Sequence, residues 1–265
     1  MKVFSGVLAE RVLLRLSGLL VCVFSSTAQA DLPDIVQAIR PSVVAVGTWQ
    51  NTRTPRFVFM GTGFVVGDGS LIATNAHVKS AQPLNTDQME MLVIIVPGRD
   101  GGREAAPREV LRVASDELHD LALLKLKSGL PLSALPLNDV PVREGQSVGL
   151  LGYPLGGALG LYPAVQQGIV ATVSPIAIPA PSASRLDSSV VRRIADGAYS
   201  IYQLDIVARP GNSGSPVFDV SSGKIFGVVS FGMVRQVREG GLSGPTGITY
   251  AIPVEHLQRL IREQP

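Results

Sequence analysis

The segment "DIVARPGNSGSPVFD", residues 205–219, carries the clearest sign of chemistry in the chain. Residues 211–216 are Gly, Asn, Ser, Gly, Ser and Pro, which are the usual turn formers, so a structural turn is one interpretation. The other interpretation is a nucleophilic Ser213 on a tight loop whose backbone N–H groups are free to bind an oxyanion. Because a serine hydroxyl is a weak nucleophile, this second interpretation needs a base and an orienting acid elsewhere in the chain.

The chain has three histidines that could act as the base: His77, His119 and His256. His77 follows the apolar run "LIATNA", where the end of a strand can present a side chain to a cleft. His119 stands among acidic residues in a predicted turn, so we expect it to be solvated. His256 lies in a predicted C-terminal helix, where we expect a surface position. His77 is therefore the candidate base.

Asp120 is the candidate acid, because it stands at the start of "DLALLKL", where a polar turn meets an apolar strand. A carboxylate that is partly desolvated needs a partner, and an imidazole N–H is a suitable one. Asp116 is the alternative, and Asp205 is more simply interpreted as structural. The order His77, Asp120, Ser213 is the chain order of the chymotrypsin-type triad. No His pair or Cys cluster has metal-ligand spacing, so we expect no metal and no cofactor.

The elements that must position these residues are mostly short strands. Residues 32–39 have helical spacing, which Pro41 ends, and residues 253–264 predict an amphipathic C-terminal helix. Between these helices we expect strands at 42–50, 57–67, 71–78, 90–97, 108–116 and 121–127, and then at 147–154, 164–175, 200–207, 215–220, 225–232 and 247–253. This pattern predicts an all-β fold of two six-stranded antiparallel barrels, at 31–140 and 141–265, which together form one domain. The long loop at 175–199 is expected to be functional.

The first thirty residues predict a secretory signal peptide. Basic residues precede an apolar run of about a dozen residues, and Ala28-Gln29-Ala30 offers a cleavage site after Ala30. The run is too short to span a bilayer, so we expect no stable membrane anchor. The remaining chain would have equal numbers of acidic and basic residues and no cysteine, since Cys22 is the only one. No basic surface is then expected for nucleic acid, and we expect export to a bacterial periplasm.

Several motifs resemble the protease domain of the HtrA (Deg) family, which belongs to the chymotrypsin-fold serine peptidases. They are "GTGFVVGDGSLIATNAHV", "DLALLKL", "GYPLG", "QQGIVATVS", "DIVARPGNSGSPVFD" and "GITYAIP". The resemblance implies that His77 is the general base, that Asp120 orients it and that Ser213 attacks the peptide carbonyl. It also implies an oxyanion hole formed by the N–H groups of Gly211 and Ser213. Proteins or peptides, unfolded ones included, would be the substrates; no oligomeric state is predicted.

The same resemblance predicts where a substrate side chain binds. The residue six before the nucleophile, Val207, would lie at the base of the primary specificity pocket, with Ala208 next to it. Ser230, Phe231 and Gly232 would line the pocket wall and pair with extended substrate. Since an apolar base offers no partner to a buried charge, cleavage after small or medium aliphatic residues is expected.

Three features depart from the family or from its digestive relatives. Ser215 replaces the usual glycine of "GNSGGP", and the chain ends about twelve residues after "YAIP", which implies a protease domain without a PDZ module. Digestive relatives of this fold pair a new amino terminus with an Asp before the nucleophile, but here that residue is Asn212. We therefore expect other contacts to order the oxyanion loop, residues 209–213, with the 175–199 loop and the substrate as candidates.

Two other function classes remain open on the sequence alone. One is a catalytically silent protease-fold adaptor that binds peptides, which the complete set of triad residues disfavours. The other is an esterase that uses the same triad, although no Gly-x-Ser-x-Gly motif lies between a strand and a helix.

Overall fold

The fold is described by a computed structural model of residues 31–78, 84–98, 107–156, 160–175, 199–230 and 247–264. The predicted signal peptide at 1–30, most of the 175–199 loop, and Phe231 and Gly232 lie outside these residues. Within them, no helix is both long and apolar enough to cross a membrane.

The first half of the described chain folds into a closed antiparallel barrel with the strand order β1-β2-β3-β6-β5-β4. Its strands are β1 (Val43–Trp49), β2 (Phe57–Val66), β3 (Leu71–Thr74), β4 (Met91–Ile95), β5 (Arg108–Asp116) and β6 (Leu121–Leu126). Its interior is filled mostly by aliphatic side chains, among them Val44, Ile72, Ile94 and Leu124, all fully buried. Such β-branched and leucine side chains suit a pleated surface that is packed on one face.

The second half forms another closed antiparallel barrel with the strand order β10-β11-β12-β9-β8-β7. Its strands are β7 (Ser147–Gly152), β8 (Ala164–Pro175), β9 (Ser200–Asp205), β10 (Pro216–Asp219), β11 (Ile225–Val229) and β12 (Ile248–Pro253). The predicted fold class is therefore confirmed: two six-stranded barrels with one helix at each end. The domain limits at 140 and 141 fall between β6 and β7 and stay a prediction.

The two helices pack against a core that both barrels share. Helix α1 (Leu32–Ile39) starts at the N-cap Asp31 and buries Ile35, Val36 and Ile39. Helix α2 (Val254–Glu263) buries Leu257 and Leu260 on the same cluster. That cluster also holds Phe64 of β2 and Phe218 of β10, so it fastens the barrels to each other.

Several strands end earlier than their apolar runs predict, and they do so beside the candidate site. β3 stops at Thr74, although the apolar pattern continues to Val78. β9 stops at Asp205, and β11 stops at Val229. The residues after β3 and β9 leave their ladders and lead to His77 and to the loop that carries Ser213, whereas Ser230 after β11 still donates its N–H to the Tyr250 carbonyl.

Candidate active site

Ser213 lies on a tight loop between β9 and β10, and the shape of this loop requires its glycines. Gly211 has φ +101° and Gly214 has φ +84°, a region that other L-residues rarely occupy. A Cβ atom on Gly211 would overlap the Tyr153 carbonyl oxygen, and one on Gly214 would overlap the Thr62 carbonyl oxygen. The glycines of this segment therefore allow the loop to pack closely against the backbone at Tyr153 and Thr62.

His77 reaches this serine from the first barrel, in the turn that follows β3. Its Nε2 lies 2.8 Å from the Ser213 Oγ. Its Nδ1 lies 2.7 and 2.9 Å from the two carboxylate oxygens of Asp120. A carboxylate only accepts hydrogen bonds, so Nδ1 carries the proton and Nε2 is left as an acceptor for the serine hydroxyl. This arrangement allows the imidazole to take up the Ser213 proton.

Asp120 occupies the turn between β5 and β6 with φ 51°, a left-handed conformation that is uncommon for residues other than glycine and that Asp adopts more readily than most. Its carboxylate accepts hydrogen bonds from the His77 backbone N–H at 3.0 Å and from the Ser230 hydroxyl at 2.7 Å. The Asn75 side chain donates to its backbone carbonyl at 2.9 Å. These contacts fix both the carboxylate and its turn, so the imidazole is held in one orientation.

Two backbone N–H groups beside the serine are free. Within the described part of the chain, the N–H groups of Gly211 and Ser213 donate to no protein acceptor. Ser213 itself is only 6% exposed. A pair of free donors next to a largely buried hydroxyl can bind the oxygen of a carbonyl under attack, because that oxygen gains negative charge.

The other candidate acids do not reach His77. The Asp116 carboxylate lies 2.6 Å from the Nδ1 of His119 and also accepts the His119 backbone N–H at 3.1 Å. Burial acts to raise the pKa of Asp116, but the interactions with His119 and Arg259 together outweigh it and leave that pKa lowered. Asp205 is exposed at the end of β9.

The predicted solvent exposure of His119 and His256 is wrong, since these residues are 5% and 8% exposed. Their rings stack on each other, with centroids 3.9 Å apart and planes inclined by 19°. The Tyr199 ring contacts both of them. The reason is tertiary: α2 packs across the β5–β6 turn and covers His119 with its own histidine. The polar residues around His119 and His256 in the sequence predict exposure, because they contain no information on a contact between distant segments.

This aromatic cluster supports the turn that carries Asp120. The Tyr199 hydroxyl donates to the Leu118 carbonyl at 3.2 Å, two residues before Asp120. Burial, followed by the neighbouring His119 and Arg259, lowers the pKa of His256 to about 4, so its ring is neutral near neutral pH. The candidate acid is thus held partly by groups from the opposite end of the chain.

The residues predicted to bind substrate occupy different environments. Val207 is 47% exposed, whereas Ala208 beside it is partly buried and donates its N–H to the Thr249 hydroxyl at 2.8 Å. Ser230 is fully buried, its hydroxyl bonded to Asp120 and its N–H to the Tyr250 carbonyl. Phe231 and Gly232 lie outside the described residues. The specificity pocket as a whole therefore stays a prediction.

Ser215, the departure from the family pattern, is accommodated by Gly152 on β7. A Cβ atom on Gly152 would overlap the Ser215 Oγ, so the extra side chain fits only because its neighbour has none. Ser215 is fully buried and leaves the hydrogen bonds of Ser213 and His77 unaffected.

Sequence reasoning missed two residues at the site. Thr62 on β2 bonds to the loop that carries Ser213 through both its backbone N–H and its hydroxyl. The second is Leu155, whose N–H donates to the Pro210 carbonyl at 2.7 Å. The flanking glycines of "GTG" at 61–63 are the one signal for Thr62, because paired glycines in a strand mark a close backbone approach.

Known proteins that are similar to this chain belong to the kind of protein that its sequence motifs resemble, the serine proteases. The family described as the trypsin-like peptidase domain matches residues 61–228, a segment that contains His77, Asp120 and Ser213. Human serine protease HTRA3 is 27% identical over 239 residues, which cover 88% of this chain and 44% of that protein. A putative serine protease of Synechocystis, HhoA, is 26% identical over 208 residues, which cover 78% and 43%.

A probable periplasmic serine endoprotease of Halomonas elongata, described as DegP-like, is 28% identical over 198 residues, covering 74% of this chain and 33% of that protein. The chain thus spans less than half the length of these relatives. The crystal structure of an M. tuberculosis protease in its active form has a TM-score of 0.59 at 21% identity, covering 87% of this chain and 83% of that one, which shows a shared fold. The HtrA resemblance predicted from the motifs is confirmed.

Proposed function

The chain belongs to the family of trypsin-like peptidase domains, and from this premise we propose that it is a secreted serine endopeptidase. Ser213 would be its nucleophile, His77 its general base and Asp120 the residue that orients the base. The observation that carries this proposal is the continuous chain of short contacts from the Ser213 Oγ through both nitrogens of His77 to the Asp120 carboxylate.

The reaction follows from these contacts. His77 Nε2 takes the hydroxyl proton as the Ser213 oxygen attacks the peptide carbonyl, and Asp120 stabilises the imidazolium that forms. The N–H groups of Gly211 and Ser213 bind the developing oxyanion. The imidazolium then gives its proton to the departing amine, which leaves an acyl-enzyme. A water molecule, activated by the same imidazole, attacks the ester carbon, and the second product leaves with Ser213 restored.

Protein or peptide substrates would bind as an extended strand next to Ser230. The Ser230 carbonyl accepts no hydrogen bond from any described residue, so it is available to a substrate N–H. The side chain before the cleaved bond would enter a pocket formed by Val207, Ala208, Phe231 and Gly232. Because the first two are apolar, we propose cleavage after Val, Ala or Leu, and a cleavage profile dominated by Arg or Lys would contradict this.

The site of action would be the bacterial periplasm. Two observations support this location. The first thirty residues have the charge and hydropathy pattern of a secretory signal peptide. One of the relatives is itself described as periplasmic.

The test combines a serine-directed fluorophosphonate probe with digestion of an unfolded protein such as reduced casein. We expect the wild-type chain to be labelled at Ser213 and to cut casein, and Ser213→Ala to lose both properties. Ser147→Ala, which changes an exposed serine on the second barrel, is the matched control and should keep both. A wild-type chain that binds casein peptides but is neither labelled nor active would be a peptide-binding adaptor instead. Rapid hydrolysis of simple esters without peptide cleavage would identify an esterase.

A further inference from the structure

Every backbone carbonyl of the oxyanion loop, residues 209–213, is held by a hydrogen bond. Three segments supply the five donors. Thr62 of the first barrel supplies two of these donors, Leu155 supplies one, and residues 212–215 supply the other two. The five bonds are Asn212 N–H to Arg209 at 3.0 Å, Leu155 N–H to Pro210 at 2.7 Å, Thr62 Oγ1 to Gly211 at 2.7 Å, Ser215 N–H to Asn212 at 3.0 Å and Thr62 N–H to Ser213 at 2.8 Å. The orientation of each peptide unit in the loop is therefore set.

These fixed carbonyls determine where the two free N–H groups point. In a trans peptide the N–H lies opposite the C=O of the same unit. The Pro210 carbonyl faces Leu155, so the Gly211 N–H faces the other way. The Asn212 carbonyl faces the Ser215 N–H, so the Ser213 N–H also points away from the protein interior of that turn. Each free N–H group belongs to a peptide unit whose carbonyl is hydrogen-bonded, and this bond fixes the direction in which the N–H group points.

The turn that contains Gly211 has a second form that would remove one donor. Residues 209–212 make a β-turn closed by the Asn212 N–H, with Pro210 at its second position and Gly211 at φ +101° at its third, which is type II. In type I the third residue has a negative φ and the central peptide is flipped. The Pro210 carbonyl would then stand where the Gly211 N–H now stands, and the hole would have one donor.

The Thr62 hydroxyl contacts the turn directly and, through Tyr153, also contacts the segment that holds the Pro210 carbonyl in its type II orientation. It donates to the Gly211 carbonyl, which fixes the peptide after Gly211. It also accepts the Tyr153 N–H at 3.1 Å. Tyr153 begins the turn that ends at Gly156 and places Leu155, at φ 55°, with its N–H on the Pro210 carbonyl. Thr62 is fully buried, so water does not replace its hydroxyl.

We propose that Thr62 is a positioning residue of the oxyanion hole: its hydroxyl selects the turn form in which the Gly211 N–H faces the substrate. Since Thr62 lies on β2 in the same barrel as His77, it also fixes the nucleophile loop of the second barrel relative to the base. The inference rests on the proposed peptidase function and adds to it a residue that never touches the substrate.

The test compares Thr62→Val, which keeps the shape but removes the hydroxyl, with Thr62→Ser, which keeps the hydroxyl. We expect Thr62→Val to lower kcat at least tenfold, to slow fluorophosphonate labelling of Ser213 in parallel, and to change KM by less than threefold. The pH at which kcat/KM falls on the acid side should stay unchanged, because the bonds of His77 are untouched. Thr62→Ser should keep at least a third of the wild-type kcat.

Thr48→Val is the matched control, because Thr48 is also a buried threonine on a first-barrel strand and its hydroxyl accepts a bond from Arg53 at 3.0 Å. It should keep the wild-type kcat. The proposal is overturned if Thr62→Val keeps it as well, if Thr62→Ser fails to restore activity, or if Thr48→Val loses as much.

Crystal structures of the two Thr62 variants give a second readout that does not need activity. Gly211 should leave φ near +100° in Thr62→Val and keep it in Thr62→Ser, and an unchanged turn in Thr62→Val would overturn the inference. A wild-type chain without labelling or cleavage would instead refute the proposed peptidase function, so the two failures are distinct.

Discussion

Replacing His256 by phenylalanine should make the stability of the protein less dependent on pH. His256 Nδ1 lies 3.3 Å from the Arg259 guanidinium, and the ring stacks on His119, which is paired with Asp116. Glu255 lies 3.7 Å from Nε2 but is largely exposed. Burial, His119 and Arg259 keep the folded ring neutral against the opposing effect of Asp116, whereas the unfolded chain accepts a proton at the ordinary histidine pKa. Phenylalanine preserves the stack and takes up no proton.

The magnitude follows from the pKa of His256, which falls from 6.5 to about 4 on folding. The unfolded state binds more protons between these values, so the neutral ring contributes its full stability above pH 6.5 and loses it as the pH falls toward 4. At about 1.4 kcal/mol per pKa unit, unscreened linkage would remove about 2 kcal/mol by pH 5. Arg259 is 45% exposed, so solvent screens this side of the ring. Because of this screening, the free energy of unfolding should fall by about 1 kcal/mol, half of the unscreened value.

Urea unfolding at pH 7, 6 and 5 measures this difference. Both chains should carry Ser213→Ala, which prevents self-digestion. The pKa of Asp116 is lowered from 3.8, so its contribution is lost only below the range tested. The free energy of unfolding should fall by about 1 kcal/mol more in the chain with His256 than in His256→Phe.

Tyr199→Phe is the control for a stability loss without titration. It removes the hydroxyl that donates to the Leu118 carbonyl, so it should lower stability by a similar amount at every pH. The free energy of unfolding could instead change with pH by the same amount in the chain with His256 and in His256→Phe. The stacked ring would then accept a proton as readily in the folded state as in the unfolded state. That result would refute the reasoning.

Three further changes test the site and its supports. Ser230→Ala removes a hydrogen bond to the Asp120 carboxylate, so steady-state peptide hydrolysis should show kcat reduced by roughly 10- to 150-fold, since a bond to a charged group is worth about 1.5–3 kcal/mol; an unchanged kcat would contradict this. Asp116→Asn should lower the melting temperature near pH 7 but leave kcat within a few-fold of wild type, whereas Asp120→Asn should nearly abolish activity. Gly152→Ala should destabilise the protein by about 1–3 kcal/mol through its clash with Ser215, and adding Ser215→Gly should recover most of that loss in a double-mutant cycle.

Most of the strand positions follow from the sequence, because each barrel strand is a short apolar run bounded by turn residues. The predicted strand at 164–175 coincides with β8, and the one at 108–116 coincides with β5. The runs overpredict strand at 75–78 and at Ser230, because those residues are apolar or small for a different reason. Residues 75–78 leave the ladder and bring His77 to Ser213. Ser230 keeps its N–H on the Tyr250 carbonyl and places its hydroxyl on the Asp120 carboxylate.

The supports of the site did not follow from the sequence, because they depend on contacts between distant segments. Thr62 and Gly211 are 149 residues apart, and no local pattern predicts their hydrogen bond. His119 and His256 stack only because α2 crosses the turn before Asp120. The candidate catalytic residues can be recognised from the short motifs around them and from their order in the chain. The groups that hold them in place come from the packing of one barrel on the other.

Asn212, the residue before the proposed nucleophile Ser213, indicates that residues 209–213 are ordered from within the fold. Asn212 is fully buried, and its side chain donates to Gln166 of β8 at 3.0 Å. A neutral amide gives no counter-charge to an ammonium group, and burying that charge unpaired is costly. Helix α1, capped by Asp31, packs its apolar face on the shared core instead of approaching this loop. A soluble tag placed before Asp31 should therefore leave peptide turnover nearly unchanged. A tagged protein that is inert, and that becomes active only when the tag is cut off at Asp31, would show that a new amino terminus orders the loop after all.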